Sequence, residues 1–172
     1  MRKRAAPRSV AAKPAQALRA PRRLRLLLVQ GPNMSYLGKR QPEIYGTTTA
    51  AELDALLARH AAARGCDIDI YYTHIEGEAI GRIYEAVEDG LDALVINPAS
   101  FLFAGYGLRD CLRAIPVPTV EVHMTNIEKR GFRSLTAEAA HGTIAGFGVR
   151  SYVYGIDAAL DLAAERRAQA VL

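Results

Sequence analysis

The chain has only two cysteines in 172 residues, and Cys66 and Cys111 stand in no metal-binding or redox spacing. A disulfide scaffold, a zinc ribbon and a thioredoxin-like motif are thereby excluded, and both thiols read as small buried hydrophobes. There is no run of about 18 apolar residues, so no segment is expected to span a membrane. Acidic residues are missing from the first 25 positions, which hold nine Lys or Arg. Of the 22 basic and 18 acidic residues in the whole chain, the remainder keeps 13 basic and all 18 acidic. The formal charge of +4 therefore belongs to a tail and not to a folded face. A stripe of Lys and Arg interleaved with aromatics is also missing, so no nucleic-acid partner is expected. What is present, 50% hydrophobic and 23% charged residues, is the composition of one globular domain with a single core.

Residues 1–23 are mostly Ala, Arg, Pro and Lys, and Pro7, Pro14 and Pro21 interrupt any helix. They read as a disordered basic extension. The stretch is Arg-rich and acid-free like a transit segment, but it has one Ser and poor amphipathicity, and it lacks the apolar core of a secretory signal. The folded domain is expected over 24–172. Leu24 to Val29 is a short apolar strand running into Gly31-Pro32. Thr49 and Glu52 form a capping-box signature ahead of Leu53, Leu56 and Leu57, and that helix ends near Gly65. Asp67–Tyr72 alternates as a strand. Glu78–Val87 reads as a helix burying Ile80, Ile83, Tyr84 and Val87, stopped at Gly90. Strand Leu91–Ile96, helix Tyr106–Ala114, strand Val117–Val122, strand Thr143–Gly146 and helix Ser151–Gln169 follow. This alternation predicts an α/β fold: a three-layer sandwich around a five-stranded parallel sheet in flavodoxin-like order. Ligands in such sheets sit beyond the carboxyl ends of the strands, so the loops after each strand are the segments to search.

The loop after the first strand is neither a Walker loop nor a GxGxxG fingerprint. It places Arg40 five residues before Tyr45. A phenol ionises near pH 10 in water, so a tyrosinate base at neutral pH needs a cation against it, and a guanidinium supplies one. Without that neighbour, Tyr45 would be an ordinary amphipathic loop residue. Glu121 and His123 stand two apart at the end of the fourth strand and so point the same way. The carboxylate can orient the ring and hold its charged form, as a general acid requires. The alternative is an ion pair at a strand end. His60 reads as a solvated helix residue, His141 as a loop residue, and His74 as a supporting residue near a site. Asn97, at the start of Asn97-Pro98-Ala99-Ser100, can donate and accept at a ligand. Arg130 and Arg133 can meet a carboxylate or close a lid, or form a solvated charged run.

These segments, taken in order, resemble type II 3-dehydroquinate dehydratases. The resemblance rests on Gly31-Pro32-Asn33 with Leu37-Gly38, Arg40, Pro42-Glu43 and Tyr45-Gly46, on Asn97-Pro98-Ala99-Ser100, on Glu121-Val122-His123 with Thr125-Asn126, and on Gly142, Ala145-Gly146-Phe147-Gly148 and Tyr152. It runs from about Leu24 to Glu165. It implies a flavodoxin-like, metal-free and cofactor-free cytoplasmic enzyme of shikimate or quinate metabolism, assembled as a trimer-based dodecamer. The implied reaction is a trans dehydration of 3-dehydroquinate to 3-dehydroshikimate through an enolate. By the resemblance, Tyr45 is the base and Arg40 keeps it ionised. Asn33 holds a water on the enolate oxygen, His123 is the acid and Glu121 orients it. Asn97 and the main chain of Met124 and Thr125 match the substrate carboxylate site. Arg133 matches a contact to ring hydroxyls, Arg130 a lid arginine, and Asp110 a residue donated by a neighbouring subunit. The unrelated type I enzymes work through a lysine imine. Lys3, Lys13, Lys39 and Lys129 lie in the tail or in exposed-looking loops, and none suits that role.

The chain departs from the family pattern at the pocket. Phe103 stands where a hydroxyl-binding histidine is usual, Gln30 replaces Asn, and Gln41 replaces Glu. The segment after Arg133 is short and lacks the usual His-Ser. Two alternatives to the dehydratase reading follow. One is a paralogue using the same acid and base on a cyclic substrate with altered hydroxyls. The other is a flavodoxin-like binding or regulatory module, against which the intact Tyr45, Arg40, Glu121 and His123 argue.

Overall fold

The structure is a computed structural model and describes residues 22–170. The strands are β1 (Leu24–Gln30), β2 (Cys66–Tyr72), β3 (Ala93–Asn97), β4 (Thr119–His123) and β5 (Gly142–Ala145). All pairings are parallel and the spatial order is β2-β1-β3-β4-β5. The helices are α1 (Pro42–Tyr45, one turn), α2 (Ala50–Ala63), α3 (Glu76–Glu88), α4 (Tyr106–Ala114) and α5 (Arg150–Gln169). Three single 3-10 turns, Met34–Tyr36, Ala99–Phe103 and Thr136–Ala139, lie in loops that the apolar periodicity leaves unassigned.

β1 explains the three layers. Leu26 and Leu28 face α2 and α5, packing with Leu53, Leu57, Tyr152 and Ile156. Leu27 and Val29 face α3 and α4, packing with Ile83, Leu108 and Leu112. A strand buried on both faces must be apolar at every position, and each such side chain contributes roughly 1.5–3 kcal/mol. The α2 capping box forms, with Thr49 and Glu52 each accepting from the other's backbone N–H. Glu76, in the first turn of α3, accepts from Leu108 N (2.7 Å), and so caps the start of α4.

The α3 face differs from the expectation. Ala79, Ile83 and Ala86 are buried, while Tyr84 is 44% exposed and Ile80 and Val87 are peripheral. Two adjacent stripes satisfy the helical period, and the sheet accepts the one with small residues at its ends. His60 is not solvated as expected: its Nε2 lies 2.8 Å from Asp157 across the α2–α5 seam. Both cysteines are buried and free.

The expected extension lies outside the described residues except for its last two. Those two are tied to the fold. Arg22 meets Asp92 (2.7 Å) and Arg23 meets Asp67 (3.2 Å). Asp92 also takes Arg167 (2.8 Å) and the backbone N–H of Arg25 (2.7 Å). Burial by itself raises the Asp92 carboxyl, but these donors outweigh it and hold the group below the usual carboxylate range. Arg22 and Arg23 are therefore part of the folded unit.

Candidate active site

At the carboxyl edge of the sheet, where the chain leaves β1 for one side and β3 for the other, lies a cleft of about 220 Å³. This is the topological switch point of a doubly wound sheet. The loop after β1 contributes Asn33, Arg40 and Tyr45 to the cleft. β3 and its following turn contribute Asn97, Ser100 and Phe103, and β4 with its loop contributes His123, Thr125 and Arg130. Gly31 sets how closely these loops approach. A Cβ there would lie 2.3 Å from the Pro98 carbonyl oxygen, so only glycine lets the β1 loop cross the end of β3.

Tyr45 ends α1, the turn that Pro42 starts behind Gln41 in the left-handed region (φ 38°). Two guanidiniums converge on its phenol. Arg40 donates to Oη at 3.4 Å and sits 4.4 Å from the ring centroid. Arg130, 85 residues away in sequence, donates to the same oxygen at 3.3 Å and to Thr125 Oγ1 at 3.0 Å. Among the described residues neither arginine meets a carboxylate, and both guanidiniums face the phenol.

His123 and Glu121 are buried together, not paired at the surface. His123 Nε2 donates to Glu121 Oε1 at 2.6 Å, and the imidazole lines the cleft. Nδ1 makes no hydrogen bond among the described residues and is the nitrogen left to act on a ligand. Glu121 Oε2 accepts from the buried Thr136 hydroxyl at 2.6 Å. Gly155 lets α5 press against the same strand, since a Cβ there would lie 2.3 Å from Val122 Cγ1.

Asn97 is fixed from below. Its Nδ2 donates to Tyr152 Oη (2.7 Å), and its Oδ1 accepts from Ala99 N (3.1 Å). That second bond supports the left-handed backbone of Ala99 (φ 48°). Tyr152 in turn donates to Gln30 Oε1 (2.8 Å). Burial pushes the Tyr152 phenol well above its ordinary range, so it stays a neutral donor. Gln30 Nε2 has no partner among the described residues, a polar atom left over where the family resemblance expects the shorter Asn. Asn33 takes a left-handed backbone (φ 67°), and its N–H donates to His74 Nδ1 at 3.2 Å. His74 is thus a support for the site, as its position suggested.

The structure places Met124 and Thr125 on the cleft wall, but not Arg133 or Asp110. Arg133 is 85% exposed and pairs with Glu138 (3.3 Å). Its side chain points outward, so the structure does not bring Arg133 to the cleft where the resemblance places it. Asp110 is exposed on α4 and meets Arg109 and Arg113. Phe103 lies at the rim, 58% exposed and edge-on to Phe132 (centroids 5.2 Å apart), with Arg130 over Phe132 at 4.8 Å. Leu102 and Ile127 complete an apolar wall. Thr136 and Ser134 were not legible in the sequence, because no local spacing links them to Glu121. Tyr152 was visible only as part of a motif.

The described residues hold no cluster of three or more His, Cys, Asp or Glu able to bind a metal ion, and no helix long and apolar enough to cross a membrane. The family model "Dehydroquinase class II" matches residues 24–160. A 3-dehydroquinate dehydratase of Syntrophotalea carbinolica is 43% identical over 141 residues, covering 80% of this chain and 95% of that protein. One from Ralstonia pickettii is 38% identical over 139 residues, covering 79% and 90%. The crystal structure of a type II dehydroquinase from Propionibacterium acnes superimposes with a TM-score of 0.75 at 34% identity, covering 83% of this chain and 99% of that one. The match spans every strand and every cleft-forming loop described above, and the chain belongs to the class II dehydroquinase family.

Proposed function

We propose that the protein is a 3-dehydroquinate dehydratase, a hydro-lyase converting 3-dehydroquinate to 3-dehydroshikimate and water. The observation that carries this reading is one cleft holding both a phenol flanked by two arginines and a carboxylate-oriented imidazole. Elimination next to a ketone needs a base for the carbon-bound proton, stabilisation of the enolate, and an acid for the departing hydroxyl. In this scheme the Tyr45 phenolate, stabilised by Arg40 and Arg130, takes the C2 proton. Asn33 holds a water on the enolate oxygen. His123 Nδ1 then delivers its proton to the C1 hydroxyl, which leaves as water, and the enolate electrons form the new double bond. Asn97 and the main chain at Met124 and Thr125 take the substrate carboxylate.

The scheme needs no metal or cofactor. The protein acts in the cytoplasm as a trimer-based dodecamer, in which Asp110, exposed on α4, reaches the cleft of a neighbouring subunit. The test is the rise in ultraviolet absorbance of the conjugated enone when purified protein meets 3-dehydroquinate. No change at saturating substrate would overturn the assignment.

The wall of Leu102, Phe103, Ile127 and Phe132 favours a second reading. It offers no side-chain hydrogen bond to a ring hydroxyl, and a lost partner for a buried hydroxyl costs about 1–3 kcal/mol. A cyclic β-hydroxyketone acid with fewer hydroxyls would suit the same acid and base. A substrate panel decides between the two by kcat/KM.

A further inference from the structure

Glu121 lies at the end of a polar chain in which every proton is assigned. Ala137 N–H donates to Ser134 Oγ (3.3 Å). The Ser134 and Thr136 hydroxyls are 3.1 Å apart. Thr136 Oγ1 is 2.6 Å from Glu121 Oε2, and His123 Nε2 is 2.6 Å from Glu121 Oε1. A backbone N–H can only donate, and a carboxylate can only accept. Ser134 therefore donates to Thr136, and Thr136 gives its single proton to Glu121. None of the four side chains is more than 5% exposed, and Thr136 is fully buried. The 3-10 turn that carries Thr136 is anchored from outside. Glu138 takes Arg109 and Arg113 of α4 (3.7 Å each), and Leu135 N donates to Leu102 O (2.9 Å).

We propose that Thr136 is a positioning residue for His123. Its hydroxyl locks the Glu121 carboxylate in the rotation that meets Nε2. With both oxygens occupied, Glu121 does not turn away from the ring. Nε2–H stays fixed, and Nδ1 is the nitrogen aimed at the cleft. A chain of hydrogen bonds in a dry interior polarises along its length, so the terminal hydroxyl matters more than one isolated bond. The inference about kcat rests on the dehydratase reading; the geometry of the chain does not.

The test compares Thr136→Val, which removes the hydroxyl at nearly constant volume, with Thr136→Ser, which restores it. In Thr136→Val, kcat is expected to fall about ten- to a hundredfold with KM within about threefold, and Thr136→Ser to recover to within about threefold of the parent. The activity-independent readout is the low-field Nε2–H proton resonance of His123 in histidine-labelled protein, assigned by its loss in His123→Gln. It should be present in the parent and in Thr136→Ser, and displaced or lost in Thr136→Val. An unchanged kcat and resonance in Thr136→Val overturn the proposal. So does a Thr136→Ser variant as impaired as Thr136→Val, which would make the role one of shape. If Thr136→Val does not fold, Thr136→Ala provides the same contrast. If the parent protein fails to turn over 3-dehydroquinate, the proposed function fails and the resonance still decides the role of Thr136.

Discussion

The two ends of the sheet both gather arginines, and they use them in opposite ways. At the amino edge, Arg22 and Arg167 close on the Asp92 carboxylate and tie three segments of the chain together. At the carboxyl edge, Arg40 and Arg130 close on a phenol. One arrangement consumes its charge in holding the chain together. In the other, the guanidiniums meet a phenol and, among the described residues, no carboxylate. The same side chain therefore closes an ion pair at one end and, in the proposed reaction, supports the base at the other, and its partner decides which.

The sharpest way to break this contrast is Tyr45→Phe. Loss of a general base is worth about 10²- to 10⁴-fold, so turnover should fall by that factor while the thermal midpoint stays within a degree or two of the parent. A large loss of stability would mean that the carboxyl edge is structural as well. Asp92→Asn should do the reverse. Removing a carboxylate that receives two arginines should cost about 2 kcal/mol after allowance for the partly exposed Arg22, and lower the thermal midpoint by roughly 4–8 °C, with kcat unchanged.

The same clamp fixes the sign of an acid dependence. The native Asp92 carboxyl sits below its unfolded value. Its stabilisation is complete above the unfolded value of about 4 and is lost as pH falls through the lowered native value. Urea titrations between pH 2 and 6 should therefore show a steeper acid loss in the parent than in Asp92→Asn. Equal slopes would count against the clamp. At the cleft, Phe103→His should lower KM for 3-dehydroquinate several-fold if that rim faces the ring hydroxyls. A neutral or harmful result would favour the reading with fewer hydroxyls. The smallest expected effect belongs to Arg22→Ala, about 0.5–1 kcal/mol of stability, because its side chain is half exposed.

Much of the molecule could be read along the chain. Leu26 to Val29, apolar at every position, announced a strand covered on both faces. Thr49 and Glu52 announced the start of α2, and helix Tyr106–Ala114 has the expected ends. The pairing of Glu121 with His123 followed from a spacing of two on an extended strand. The face of α3 was less legible, because large apolar residues advertise a stripe more loudly than the alanines that the sheet accepts. The resemblance places Arg133 at the cleft, whereas in this structure its side chain is exposed and pairs with Glu138.

The sequence by itself determined the alternation of strands and helices, the parallel sheet, and the two local pairs, Arg40 with Tyr45 and Glu121 with His123. Each of these depends on periodicity or on neighbours within a few residues, which backbone geometry converts directly into contact. Tertiary structure alone decided that Arg130 reaches Tyr45 across 85 positions, that Tyr152 holds Asn97, that Thr136 completes Glu121, and that Arg22 belongs to the fold. Those contacts are set by how the loops and helices pack over the ends of the strands, and no local pattern encodes that packing.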